Sequence, residues 1–227
     1  RIMSDDKMHD EHQRIYVPYN DSVGIEYFLE LQKKRRNLEI VILPPEITPE
    51  YVRSINELPG ILSLKIENGK GVPFVVPGGR FNEMYGWDSY FEGIGLILDD
   101  RLDLVKAMVD NFCYQIEHYG KILNANRSYY LTRTQPPFLS SFIREVYAAM
   151  PDKEVNKEWL AYSLSIAIKE YENVWMHGKR YTPETGLNRY YAEGIGIQFS
   201  LSTVATKRKH KPQYFTRISG VNDAVVP

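Results

Sequence analysis

The sequence predicts an all-α chain built of helical hairpins, and three observations carry that expectation. Apolar residues recur at helical spacing in two long stretches, Val105-Met108-Val109-Phe112-Ile116 and Leu160-Leu164-Ala167-Ile168-Tyr171-Trp175. Helix start and stop residues bracket the helical segments. No strand–helix–strand alternation is visible, which argues against a parallel sheet.

In chain order, residues 1–13 are mixed in charge and expected to fray. Arg14–Pro18 reads as a short extended segment. Ser22 can cap a helix reaching Arg36, with Ile25, Phe28 and Leu29 on one face; the basic run Lys33–Arg36 sits where a helix dipole favours cations. Thr48-Pro49 starts a short helix, with a hydroxyl at the cap and proline at the first helical position; it ends before Pro59-Gly60. Ile61–Ile66 reads as extended and Asn68–Lys70 as a turn. Helices follow at Trp87–Leu98, at Leu102–Tyr119 (capped by Asp100 and stopped by Gly120), at Leu139–Ala149 and at Val155–Trp175.

Composition bounds the function. The 227 residues can form one sizeable core, and 43% hydrophobic with 25% charged residues is ordinary globular usage. A net charge of −1 makes no case for nucleic acid or a membrane surface, and no apolar run approaches the ~20 residues that span a bilayer. The single cysteine, Cys113, has apolar neighbours and reads as a core filler suited to a reducing cytosol. His9, His12 and the early acidic residues lack metal-ligand spacing. No metal or cofactor is expected.

The chemistry concentrates in Pro77–Tyr90, PGGRFNEMYGWDSY. Pro-Gly-Gly bends the backbone sharply. Arg80, Phe81, Glu83, Tyr85, Trp87, Asp88 and Tyr90 then crowd a guanidinium, two carboxylates and four rings into one window. Aromatic walls with a few placed polar groups suit a sugar, whose C–H face packs on a ring while charged groups take its hydroxyls. The alternative is that Trp87, Tyr90 and Phe91 are the core-facing start of a helix. A second constellation fills the aperiodic stretch between Gly120 and Leu139: Asn124, Asn126, Arg127, Tyr129, Tyr130, Arg133, Gln135 and the stiff Pro136-Pro137. Amides and guanidiniums match vicinal hydroxyls, and a loop this long is often functional; a polar surface loop tied down by its tyrosines is the other reading.

Pro77–Tyr90 resembles a signature of the trehalase family of glycoside hydrolases, and Asn124–Pro137, NANRSYYLTRTQPP, resembles a second family segment. The wording is most like the cytosolic neutral trehalases of fungi, and the resemblance runs from about Arg14 to Ile197. It implies an α/α toroid, present here as an incomplete ring of helical hairpins, with a cytoplasmic location and trehalose as the small-molecule partner. Residue by residue, it implies that Arg80, Trp87, Asp88, Asn124 and Arg133 bind substrate, and that Phe81, Tyr85 and Gln135 line the pocket.

The family's catalytic acid and base lie downstream of these segments, so no catalytic residue is expected in this chain. Asp88 and Glu92 stand one helical turn apart, on one face, whereas an inverting glycosidase needs carboxyls roughly 6.5–9.5 Å apart across the sugar. Glu83 is read as a supporting residue. The chain begins with Arg1, as a processed or partial chain would. Residues 198–227, with the basic run Lys207, Arg208, Lys209 and Lys211, are expected to be an unrelated, unstructured tail. Asn20 and Asn126 head glycosylation triplets expected to go unused.

Overall fold

Strand β1 (Gln13–Val17) is buried along nearly its whole length, which requires cover on both faces of its sheet. Helix α1 (Ser22–Lys34) lies on one side, where Ile15 and Val17 pack with Phe28 and Leu38. Helix α2 (Pro49–Ser54) lies on the other, where Tyr16 packs with Val52, Ile55 and Leu62. β1 pairs in parallel with β2 (Leu38–Ile42) and β3 (Ile61–Leu62), in the order β2-β1-β3. The expected absence of a parallel sheet is thus corrected over the first part of the chain: β1, α1 and β2 form one strand–helix–strand unit. The sheet is small, and helices dominate the rest. The structure is a computed structural model that describes residues 13–79 and 81–192. The expectations for residues 1–12 and for the tail beyond 192 fall outside the described residues.

Local signals set most boundaries. α1 is capped by Asp21, whose carboxylate accepts from the Gly24 N–H at 2.9 Å; the expected cap, Ser22, is the first helical residue instead. Thr48 caps α2 as expected, accepting from the Tyr51 N–H at 3.1 Å. Strands β4 (Ile66–Glu67) and β5 (Lys70–Gly71) form a hairpin whose turn places Asn68 and Gly69 at positive φ. Helix α3 (Gly86–Leu98) follows the loop at residues 72–79, and α4 (Leu102–Tyr119) ends at Gly120 with φ 74°, the left-handed stop that glycine accepts without strain. Asp100 does not cap α4: it takes φ 56° one residue earlier, and Arg101 holds the cap position with no side-chain cap bond.

α4 is the central element. Its predicted stripe (Val105, Met108, Val109, Phe112 and Ile116) is buried, and Cys113 with it. Around it pack α3, α5 (Leu139–Ala149) and α6 (Lys157–Glu170). α4 also ties the helices to the sheet: Tyr114 donates to Asp21 Oδ2 at 2.6 Å, and Asn111 accepts from the Lys65 N–H at 3.1 Å. α6 departs from the sequence reading. The chain widens into a π-helical turn at Tyr171–Trp175, and the buried side is Ser163, Ile166 and Glu170. Of the expected stripe, Leu160 and Ala167 pack against the core and Trp175 is buried, whereas Leu164, Ile168 and Tyr171 are 51%, 47% and 56% exposed. Two apolar stripes compete on this helix, and the one facing α4 and α5 is chosen by its neighbours, not by its own periodicity. A short hairpin, β6 (Tyr181–Thr182) and β7 (Leu187–Asn188), closes the described chain.

Candidate functional site

The first site segment leaves the loop through the expected turn. Gly78 and Gly79 have φ 93° and 59°, and Gly78 and Phe81 exchange both backbone hydrogen bonds, at 3.1 and 3.0 Å. Arg80, between them, lies outside the described residues. The second segment starts where α4 stops: Gln115 Oε1 accepts from the Leu123 N–H at 2.9 Å, folding the chain back after Gly120.

The two segments interlock through their backbones. Leu123 pairs with Thr134 and Tyr85 with Ala125 as antiparallel bridges. The Asn124 N–H donates to Arg133 O at 3.0 Å, and Asn124 O accepts from the Gly86 N–H at 3.4 Å. The Trp87 N–H, one of the unpaired donors in the first turn of α3, gives its proton to Gln135 Oε1 at 2.7 Å. Tyr85, Trp87, Asn124, Arg133 and Gln135 therefore converge on the N-terminal end of α3. Asp88 stands in that first turn, half-buried, where the helix dipole favours its charge.

The side chains divide by accessibility. The Trp87 indole is 43% exposed and Phe81 51%, so both offer ring faces to a ligand; Phe81 also packs edge-on to Tyr85 at 5.9 Å between centroids. Tyr85 is buried and donates to Glu83 Oε2 at 2.9 Å; burial, then the Glu83 charge, push its phenol well above the usual range, so it stays protonated. Arg133 Nε is buried without a hydrogen-bond partner, a donor left open at the junction. Gln135 holds backbone through its carbonyl, which leaves its amide N–H2 to donate to a ligand.

The polar loop residues do not form one set. Asn126 and Arg127 are buried at 5% and 2%, and both serve the frame. Asn126 Oδ1 accepts from the Met84 N–H at 2.8 Å, and Arg127 Nε donates to Glu83 Oε1 at 2.9 Å in an ion pair whose side chains are 3% and 1% exposed. Glu83 thus has the supporting place expected of it. Sequence reasoning grouped Asn126 and Arg127 with Asn124 and Arg133; their partners separate them, since Asn126 and Arg127 bond to residues 84 and 83 while an Arg133 donor stays open.

The helix at Asp88 holds, so Asp88 and Glu92 do occupy one face of α3. Both Glu92 carboxylate oxygens are buried without partners, and burial, then the Asp88 charge, raise its pKa. A cavity of about 620 Å³ lies elsewhere, on the sheet side: it is lined by Tyr27, Phe28 and Phe74 and reaches Glu83 and Arg127, but none of Trp87, Asp88, Asn124, Arg133 or Gln135. Among the described residues no helix is long and apolar enough to cross a membrane.

A helical body whose two ring- and amide-rich segments meet at one helix N-terminus sets exposed aromatic faces beside placed polar groups, as small-molecule sites do. The trehalase family profile matches residues 1–214. The chain is 51% identical over 200 residues to a cytosolic neutral trehalase of Emericella nidulans, which covers 83% of this chain and 27% of that protein. It is 44% identical over 201 residues to a cytosolic neutral trehalase of Saccharomyces cerevisiae, covering 81% and 26%. Its fold superimposes on neutral trehalase Nth1 from Saccharomyces cerevisiae with a TM-score of 0.80 at 36% identity, over 98% of this chain and 46% of that one. The chain belongs to the trehalase family, and its fold is part of an α/α toroid. It spans about a quarter of the length of the curated relatives it matches.

Proposed function

We propose that this chain is the N-terminal part of the catalytic domain of an α,α-trehalase and supplies one wall of its glucose pocket. In this reading Trp87 stacks on the sugar ring, and Arg80, Asp88, Asn124 and Arg133 take its hydroxyls. Phe81, Tyr85 and Gln135 shape the pocket's edge. The observation that supports it is the interlocking of the two segments, which brings Trp87, Asn124, Arg133 and Gln135 to one helix end. The relatives are cytosolic neutral trehalases, which supports trehalose as the substrate and the cytosol as the location.

Hydrolysis by the inverting route needs an acid and a base on opposite sides of the sugar, about 6.5–9.5 Å apart. Asp88 and Glu92 share one face of one helix instead. The chain by itself therefore binds trehalose without cleaving it. Titration calorimetry with trehalose, paired with a glucose-release assay, tests this. Binding without release is the expected result. Release of glucose refutes the assignment of the carboxylates, and absence of binding refutes the pocket.

A further inference from the structure

The junction beneath the pocket has a second layer. Arg127 belongs to a segment stitched to the small sheet: Ile61 and Arg127 form an antiparallel bridge, the Leu62 N–H donates to Asn126 O at 2.9 Å, and the Ser128 N–H donates to Gly60 O at 3.0 Å. From that anchored segment two side chains reach the strand that leads into α3. Asn126 Oδ1 accepts from the Met84 N–H at 2.8 Å, and Arg127 Nε donates to Glu83 Oε1 at 2.9 Å. Glu83 passes the constraint on through its second oxygen, which accepts the Tyr85 hydroxyl at 2.9 Å. Trp87 and Asp88 follow two and three residues later.

Neither member of the pair is placed to hold sugar. Their side chains are 1% and 3% exposed, against 43% for the Trp87 residue. A buried ion pair is weak as a source of stability, because desolvation consumes most of its attraction; its use lies in fixing one register among several. No continuous ladder joins these two short, irregular segments; an isolated bridge at Tyr85 and Ala125 and a few hydrogen bonds carry their register, and the ion pair adds to that small set.

We propose that Glu83 and Arg127 are positioning residues: their ion pair anchors the sugar-binding edge to the N-terminal sheet and sets the placement of Tyr85, Trp87 and Asp88. This rests on the trehalose-pocket reading for its functional readout but not for its structural one. Neither residue touches substrate. Both act through the backbone at residues 84–87.

The test uses the full 227-residue chain and the variants Glu83→Gln, Arg127→Met and Glu83→Gln/Arg127→Met. Ile166→Val, a core change distant in sequence from both site segments, serves as a stability control. Trehalose affinity and hydrogen exchange of peptides spanning residues 81–90 and 123–135 are measured on each. Each single variant is expected to weaken trehalose binding at least tenfold and to raise exchange tenfold or more in these peptides alone. The double variant loses no more affinity than the worse single, because one interaction is removed in all three. Ile166→Val keeps affinity within twofold at whatever melting temperature it has. Wild-type affinity in both single variants, or independent losses that multiply in the double, overturns the proposal. If a single variant fails to fold with one charge left buried, the double variant, which buries none, still decides it through the exchange arm. If the wild-type chain does not bind trehalose, the pocket reading fails while exchange still decides the anchor: unaltered exchange at residues 81–90 in Glu83→Gln refutes it, and a local rise upholds it.

Discussion

Glu170 makes the stability of this chain depend on pH, and a single isosteric substitution should remove that dependence. It sits on the last turn of α6, 5% exposed, where the helix widens into its π-helical turn. The Trp175 indole donates to it at 3.4 Å, too long to offset the loss of water. Burial pushes its carboxyl from the ordinary 4.5 up to about 7, with the Trp175 bond pulling weakly the other way. The folded chain therefore holds this proton more tightly than the unfolded chain does. Glu170 costs nothing below the unfolded pKa; stability is lost as pH rises through 4.5 and the loss is complete above about 7. At about 1.4 kcal/mol per tenfold change in proton affinity, the full loss is about 3 kcal/mol. Glu170→Gln keeps the shape and cannot ionise. Urea unfolding of both proteins between pH 5 and 8 should show wild type losing about 2.5 kcal/mol relative to the variant. The difference between the two cancels groups titrating on their own account, such as Glu92, raised by burial, and His118, lowered by burial. A difference that stays flat across the range refutes a buried, uncompensated carboxyl at this position.

Two further outcomes follow from packing. A Cβ on Gly93 would stand 2.3 Å from Phe142 Cε2 and 3.2 Å from Val105 Cγ1, and Phe142 is itself 1% exposed with nowhere to turn. Gly93→Ala therefore overpacks the α3–α5 contact by up to about 3 kcal/mol, less about 1 kcal/mol of gained helix propensity; thermal unfolding should show a melting point lower by roughly 4–8 °C. Leu164 and Ile168 on α6 and Tyr171 at the start of its π-helical turn, with Phe91 and Leu98 on α3, leave large apolar side chains in water. Light scattering should show concentration-dependent association of the chain, and Leu164→Lys/Ile168→Glu should suppress it while changing unfolding free energy by less than about 0.5 kcal/mol.

What the sequence disclosed and what it withheld divide along a physical line. Thr48, Gly120 and Gly78-Gly79 announce themselves because a cap or a positive φ is decided by one or two residues and their nearest backbone. The α4 stripe was equally legible, since its apolar residues hold helical spacing and the helix is packed on both sides, by the other helices and by the sheet. α6 was half misread, with Leu160, Ala167 and Trp175 inward as expected but Leu164, Ile168 and Tyr171 outward, because it carries two candidate faces and the choice belongs to α4 and α5. The parallel pairing of β1 with β2 escaped notice for the same reason. LEIVI is too short to declare a period, and its partner lies across an intervening helix. The site repeats the lesson at the scale of single residues. Asn124 and Asn126, or Arg127 and Arg133, cannot be told apart by type, yet Asn126 and Arg127 are spent on the frame while an Arg133 donor stays open. Composition offered the polar groups; bonding across the junction decided which of them were spent on the frame and which stayed open.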